Sequence, residues 1–342
     1  MKHLGPTIRD VAKAAGVSIT TVSRVLNQYT DVNPKTRQKV LKVVEKMGYQ
    51  PNSVARSLVM NRTQTVGLVV SDLTKSRSGH HFLFDVLCGI NDRAQEMGYD
   101  LVLFSTSPTA QKKTTYMDFV RQRRVDGVVM MGIRLDDPYT HEVVEASIPS
   151  VLIDVPLTSK TCSYVASDNV AGARIAVEHL LSQGHRHIGF VNGHQQAAVA
   201  QERLAGYTQA LAGAGVKFIS DYVYYGNFEQ EDGAQGVQSL KKKHPEISAV
   251  FFASDLMAIG AIKYIQSEGG QVPKDLSIVG FDDIALASLM QPALTTVRQM
   301  RYEMGKSAVD TLIRMLENGE TGRGVVLPPE LIVRETTQPF TK

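Results

Sequence analysis

Apolar residues recur at helical spacing three times before residue 50, after which the chain turns to apolar runs separated by amphipathic stretches. Ile8, Val11, Ala12 and Ala15 lie on one helical face; Thr7 is placed to cap that helix and Gly16 to end it in a tight turn. Ser18 is placed to cap a second helix carrying Val22, Val25 and Leu26, so only the tripeptide from Gly16 to Ser18 separates the two. Two helices across so short a turn predict a helix-turn-helix. A third helix, with Pro34 in its first turn, runs through Val40, Val43, Val44 and Met47 to Gly48 and covers the first two. Pro51 and Asn52 break the pattern. Residues 53–60 are short, weakly amphipathic and followed by a polar run, and they read as a hinge.

From residue 65 the strand candidates are TVGLVVSDL, YDLVLFSTS, DGVVMMG, PSVLIDVPL, HIGFVNG, YVYYGNF, AVFFASD and LSIVGFDD, with helical stretches between most of them. Apolar strands alternating with helices predict parallel sheets covered on both faces. Eight strands exceed one comfortable sheet, which predicts two α/β subdomains. Ligands bind such sheets at the carboxyl ends of the strands, and two facing subdomains make a cleft there. Polar strand ends at Ser71, Asp72, Asp154, Asn192, Ser254, Asp255, Asp282 and Asp283 mark where to look.

Charge changes the picture through its distribution. The net charge over 342 residues is only +3, but residues 1–62 carry eleven Lys and Arg against Asp10, Asp31 and Glu45, a net +8. The rest carries 26 basic and 31 acidic residues, a net −5. A basic head on a mildly acidic body fits a nucleic-acid-binding module, although a solvated basic helix face produces the same count. The N-terminus lacks the apolar core of a signal peptide and no stretch is long enough to span a bilayer, so a cytoplasmic protein with no membrane partner is expected. Cys88 and Cys162, far apart and without CxxC spacing, read as small buried hydrophobes. His80 with His81, and His185 with His187, lack the converging partners of a metal site; no metal or cofactor is expected.

In a helix-turn-helix the second helix lies in the major groove with its early residues at base edges, which here points to Ser18, Ile19, Thr20, Ser23 and Arg24. Arg24 can donate two hydrogen bonds to guanine, or contact phosphate, or remain a solvated charge; Ile19 offers only apolar contact, such as to a thymine methyl. Thr7, Ser18, Thr21 and Asn27 suit phosphate contacts, and capping or packing explains each of them equally well.

The run TIRDVAKAAGVSITTVSRVLNQ and the following PKTRQKVLKVVEKMGYQPNSVARSL resemble the headpiece and hinge of the lactose/galactose repressor (LacI/GalR) family. The resemblance continues through GLVVSD, RVDGVVM, SDNVAGARIAVEHLLSQGHRHIGFV, ERLAGY, ASDLMAIGA, VGFDD and LTTVRQ, nearly the whole chain. It implies an all-α helix-turn-helix headpiece (1–50), a hinge helix or linker (51–64) and an α/β core (65–342). The core would be two doubly wound parallel-sheet subdomains of periplasmic-binding-protein type, about 65–166 with 298–328, and about 167–297 with 329–342. It places Ile19 and Thr20 at the family's variable specificity positions, and Arg24 and Asn27 in its DNA-contacting pattern. Ser53, Ala55, Arg56 and Leu58 would form paired hinge helices in the minor groove, with Leu58 as an apolar wedge or, alternatively, an interdomain packing residue.

The same resemblance implies a homodimer on a nearly palindromic double-stranded operator. The family's tetramers add a C-terminal leucine heptad helix, which is not seen after the strand-like PPELIVRETT. Matched positions put Asp154, Arg203, Phe228, Ser254 and Asp282 around the cleft, with His81 and Phe82 on the other wall; Asp255 either joins them or serves as a helix cap. An arginine, carboxylates and aromatic faces are how a protein holds a sugar, so the implied function is a repressor of carbohydrate-utilisation genes released by a sugar or glycoside inducer. Two alternatives stay open on this scaffold. One is a purine-like corepressor; the other is a phosphorylated carrier protein docking on Lys112, Lys113, Arg121, Arg123 and Arg124. An enzyme is not expected, since Asp154 and Asp282 come with no helper motif of a glycosidase. DLTKSRSGHHFLFDVL is longer than the family's usual turn and puts Phe84 where a small residue is common, which either reshapes the pocket or repacks locally.

Overall fold

A computed structural model describes residues 6–26, 29, 31–49, 62–73 and 81–341, with His81 by its backbone alone. The chain divides between Thr63 and Gln64 into a headpiece and a core. Helix α1 (Ile8–Ala15) opens with a capping box: the Asp10 N–H donates to Thr7 Oγ1 at 3.4 Å, and the Thr7 N–H to the Asp10 carboxylate at 2.8 Å. It stops at Gly16, whose φ of +63° is unfavourable for any residue with a Cβ. Helix α2 (Ile19–Leu26) starts where the Thr21 N–H donates to Ser18 Oγ at 3.0 Å. Helix α3 (Pro34–Met47) starts with Asn33 accepting from the Lys35 N–H at 2.9 Å. Their apolar stripes meet in a small core of Val11, Ala12, Ala15, Val22, Val25 and Val40. Asn27 and the hinge positions Ser53, Ala55, Arg56 and Leu58 lie outside the described residues.

The core begins with β1 (Thr65–Ser71), α4 (His81–Glu96), β2 (Asp100–Thr106), α5 (Pro108–Gln111), α6 (Tyr116–Arg123), β3 (Gly127–Met131), α7 (Pro138–Glu145), β4 (Ser150–Ile153) and β5 (Cys162–Ser167). It continues with α8 (Asn169–Ser182), β6 (Ile188–Asn192), α9 (Ala198–Gly213), β7 (Val223–Tyr225), α10 (Gln230–Lys243), β8 (Ala249–Phe252) and α11 (Asp255–Ser267). The last elements are β9 (Ser277–Asp282), α12 (Ala285–Leu289), β10 (Thr296–Arg298), α13 (Arg301–Asn318), β11 (Gly324–Leu327) and β12 (Glu330–Ile332). All eight strands predicted from apolar runs are present, β12 falls within the strand-like PPELIVRETT, and β5, β10 and β11 come in addition.

The strands form two six-stranded sheets, ordered β11-β5-β4-β3-β1-β2 and β12-β10-β9-β8-β6-β7. Every pairing is parallel except β10 with β12, so an otherwise parallel sheet carries one antiparallel edge. The chain passes between sheets three times: after β5, between β10 and α13 (which packs on the first sheet), and between β11 and β12. Strands β1, β3, β4, β6 and β8 are buried along almost their whole length because helices cover both faces. The second lobe's core includes Phe190 and Phe251 stacked at 4.9 Å between ring centroids.

In the first lobe, α4 and α13 meet backbone to backbone. A Cβ on Gly89 would lie 2.0 Å from the Tyr302 carbonyl oxygen, and one on Gly305 2.2 Å from that of Val86. Cys162 is buried as expected, whereas Cys88 is only partly so. No helix among the described residues is long and apolar enough to cross a membrane.

Candidate functional site: a nucleic-acid face and an interlobe cleft

The turn before α2 leaves its first residues outward. Ile19 is 44% exposed, Ser18, Thr20 and Arg24 are exposed, and Thr21 and Ser23 are half-buried. Ser18 and Thr21 are tied to each other, Oγ to Oγ1 at 2.8 Å, and Thr7 Oγ1 donates to Asp10 at 2.7 Å, so these hydroxyls act locally in the helix starts. Arg24 pairs with the Asp31 carboxylate and lies 5.5 Å from the Tyr29 ring centroid. With both partners of the ion pair about half exposed, this contact holds the guanidinium only weakly.

In the core, the carboxyl ends of the strands enclose a cavity of about 280 Å³ between the two lobes. The first lobe contributes Ser71 and Asp72 from the end of β1, Phe82 from α4, Arg134 after β3 and Asp154 after β4. From the second come His194, Arg203 on α9, Phe228, Glu229, Ser254 before α11 and Asp282 at the end of β9; Gln299 lies on the crossing to α13. The lobes touch beside it, where the Leu135 N–H donates to the Gln196 carbonyl at 2.8 Å.

Arg203 is the electrostatic centre. It is 4% exposed, its Nε donates to Asn169 Oδ1 at 2.9 Å, another guanidinium N–H reaches the Ala253 carbonyl, and its plane lies 3.8 Å from the Phe281 ring centroid. Burial pushes the Asp154 carboxyl up to about 7; Arg203 opposes the rise, while Glu202 and Asp282 add to it. Burial raises Asp282 as well, against the pull of Arg203 and Arg301 and a hydrogen bond from Gln299 at 2.7 Å. Ser71 Oγ, Asp154 Oδ1 and Gln299 Oε1 are buried at the cavity with no hydrogen-bond partner among the protein atoms. Such groups are costly unless something else satisfies them. The backbone is strained in the same place: Asp72, Asp154, Phe228 and Asp282 have φ of +55°, +61°, +66° and +124°. Strain of this kind clusters at ligand sites.

Of the effector residues expected from the sequence, Phe82, Asp154, Arg203, Phe228, Ser254 and Asp282 line the cavity. The His81 side chain lies outside the described residues. Asp255 is corrected: it is fully buried below the cavity, accepting the Ile284 N–H at 2.9 Å and the Thr296 hydroxyl. Nor does it cap α11, because Ser254 Oγ does so by accepting the Met257 N–H at 3.3 Å. Asp283 points away from Asp282 and bonds Arg298 at 2.7 Å and Arg334 at 2.6 Å. Sequence reasoning missed Arg134, His194, Glu229 and Gln299. Arg134, His194 and Glu229 each follow a predicted strand end closely enough to have been found by that rule, whereas Gln299 sits on a connection whose path only the fold defines. Among the basic residues from 112 to 124, Arg123 lies over the Phe119 ring at 3.6 Å.

The family models that match are bacterial regulatory proteins of the lacI family, over residues 7–52, and a periplasmic binding protein-like domain, over residues 177–337. The transcriptional regulator CelR of Thermobifida fusca is 36% identical over 335 residues, 97% of this chain and 98% of that one. The chain belongs to the LacI family. As a LacI-family protein it is a DNA-binding transcriptional regulator, with a helix-turn-helix head and two parallel-sheet α/β lobes. It is 34% identical over 334 residues to the transcriptional repressor PurR of Vibrio campbellii, covering 97% of this chain and 98% of that one. Among solved structures it is similar to a CelR–cellobiose complex (TM-score 0.75, 33% identity, 97% of this chain and 100% of that one). It is also similar to the lac repressor dimer bound to operator and the anti-inducer ONPF (TM-score 0.80, 28% identity, 98% and 99%). LacI-family members of this kind are regulators rather than enzymes.

Proposed function

We propose that this regulator is a repressor that binds a nearly palindromic operator as a homodimer and releases it when a sugar or glycoside occupies the interlobe cavity. The observation that carries the reading is the cavity's chemistry. Arg203, Asp154 and Asp282 converge on it, Phe82 and Phe228 face it from opposite lobes, and buried oxygens of Asp154 and Gln299 await donors. Hydroxyls supply those donors, and the apolar face of a sugar ring matches the aromatic walls. The cellobiose bound to the similar CelR supports the same class.

On DNA, Ile19, Thr20, Ser23 and Arg24 face the bases, with Arg24 exchanging Asp31 for guanine; Thr7, Ser18, Thr21 and Asn27 position the head on the backbone. Ser53, Ala55, Arg56 and Leu58 form the minor-groove hinge, and Leu58 is its wedge. The protein acts in the cytoplasm, where its operator is.

The experiment is thermal unfolding of the full chain against mono- and disaccharides, sugar phosphates, nucleosides and purines, followed by operator release with any ligand that raises the midpoint. A saccharide that stabilises and releases establishes the reading. A purine that stabilises and tightens DNA binding replaces it with corepression. Arg203→Ala should weaken the stabilising ligand by about 100-fold, since it leaves buried carboxylates uncompensated, while ligand-free operator affinity stays within about 2-fold.

A further inference from the structure

One arginine outside the cavity joins a residue that lines it to a helix of the other lobe. Arg301, the first residue of α13, is 9% exposed and spends its donors in two directions. Toward the second lobe it donates to the backbone carbonyl of Asp282, and at 3.2 Å to that of Asp283. Toward the first lobe its Nε donates to the Asp85 carboxylate on α4 at 2.9 Å, and a terminal nitrogen approaches the same oxygen at 2.7 Å. A planar guanidinium makes these bonds in fixed relative directions, so the carbonyls and the carboxylate are held in one frame.

What it grips on each side is stiff for a different reason. The Asp282–Asp283 turn has φ of +124° and +53°, held by Gln299 on one carboxylate and by Arg298 and Arg334 on the other. A turn in that region of conformational space persists only while its surroundings enforce it. On the other side, α4 and α13 are locked by the close approach at Gly89 and Gly305, and pinned by the Arg93–Asp310 pair at 2.7 Å and the Tyr302–Asp92 hydrogen bond at 3.0 Å. Displacement of the turn therefore reaches α4 through Arg301 without being absorbed along the way.

We propose that Arg301 is a strut that transmits occupancy at Asp282 to α4, making the Arg301–Asp85 contact the coupling element between the cleft and the first lobe. It acts through Asp282 and is a positioning residue. The inference rests on the cleft being the effector site, and says how that site communicates.

The decisive variant is Asp85→Asn, because Asp85 is 44% exposed, outside the cavity, and its loss leaves Arg301 gripping the carbonyls. In the full chain without ligand, hydrogen exchange of the peptide spanning residues 281–286 in the second lobe should speed up several-fold, although the substitution lies in the first lobe. Unchanged exchange there overturns the strut, and so does an equal acceleration throughout the core, which marks general loosening. With the saccharide that stabilises the wild type, Asp85→Asn should bind within about 2-fold of normal. Release of the palindromic duplex that the protein selects from a random library should fall from a coupling of order 100-fold to under 10-fold. Asp85→Glu should restore part of it. Full release by Asp85→Asn overturns the proposal. Should no saccharide stabilise the wild type, the sugar reading fails while the exchange measurement still decides the strut.

Discussion

The headpiece and the core solve opposite problems with the same twenty residue types. Among the described residues the headpiece closes on six buried side chains, none larger than valine, and depends on local devices: the Thr7–Asp10 box, the Ser18 cap, the Gly16 turn and Pro34. Its candidate function is on the outside, on residues that the fold leaves in water. The core buries whole strands and stacked rings, and its candidate function is inside, on buried polar groups of which Ser71, Asp154 and Gln299 each leave an oxygen without a protein partner. The head thus has little stability to spare and an exposed chemistry tolerant of change, whereas the core has ample packing and a site at which each polar group is individually costly.

Substitutions in the two regions should differ accordingly. Phe251→Ala, which empties the place of a fully buried stacked ring, should cost the core about 3–5 kcal/mol in denaturant unfolding. A loss below 1 kcal/mol would show that the second lobe's packing is far looser than its burial indicates. Arg24→Ala should leave folding nearly unchanged, because its ion pair is exposed, yet cost about 1–3 kcal/mol on the selected duplex and relax discrimination at one base position. A uniform loss over all duplexes would reassign Arg24 to phosphate.

The cavity adds a pH signature. Asp154 titrates at about 7 in the folded chain against 3.8 for an ordinary aspartate, so the native state keeps a proton that the unfolded chain has released. Its share of stability is present below about pH 4 and is lost as pH rises toward 7; above that it is constant. A hydroxyl donating to its carboxylate favours the charged form, so effector affinity should climb with pH up to about 7 and then level off. Asp154→Asn should flatten the affinity profile and lessen the slope of the stability profile, to which Asp282 also contributes, as melting and titration across that window will reveal; unaltered slopes would assign the proton elsewhere. The smallest effect is in the head: Thr7→Ala removes one side of the box and should cost about 1 kcal/mol, read from the helical signal of an isolated headpiece if that folds or from proteolysis of the full chain.

How much could be read beforehand follows the same division. The head's helices and caps are encoded within a few residues of where they act, so spacing, Gly16 and Pro34 were enough. In the core, β1, β3, β6 and β8 announce themselves as apolar runs because both their faces are buried. The short β10 and β11 do not: TVR and GVVL carry little pattern of their own and are strands only because β9 and β5 offer edges to them, whereas β12 lies in the strand-like PPELIVRETT. Asp154, Arg203 and Asp282 were legible through the family resemblance. Gln299 was not, since its place depends on a return between lobes that no local pattern encodes. Asp255 misled for a related reason: adjacent to Ser254 at a strand end, it is turned by the helix start into the protein, where it ties down Ile284 and Thr296.

The three passages between the sheets also set an order of manufacture. A chain emerging from the ribosome has the described residues of the headpiece core once Tyr49 is out, but the β11 edge of the first sheet waits for Gly324–Leu327 and the β12 edge of the second for Glu330–Ile332. Both lobes stay open-edged through most of synthesis and are completed within a few residues of each other. A stop codon shortly before Gly324 would therefore remove a strand from both lobes of the cleft at once, while the helix-turn-helix, made first, would still be intact.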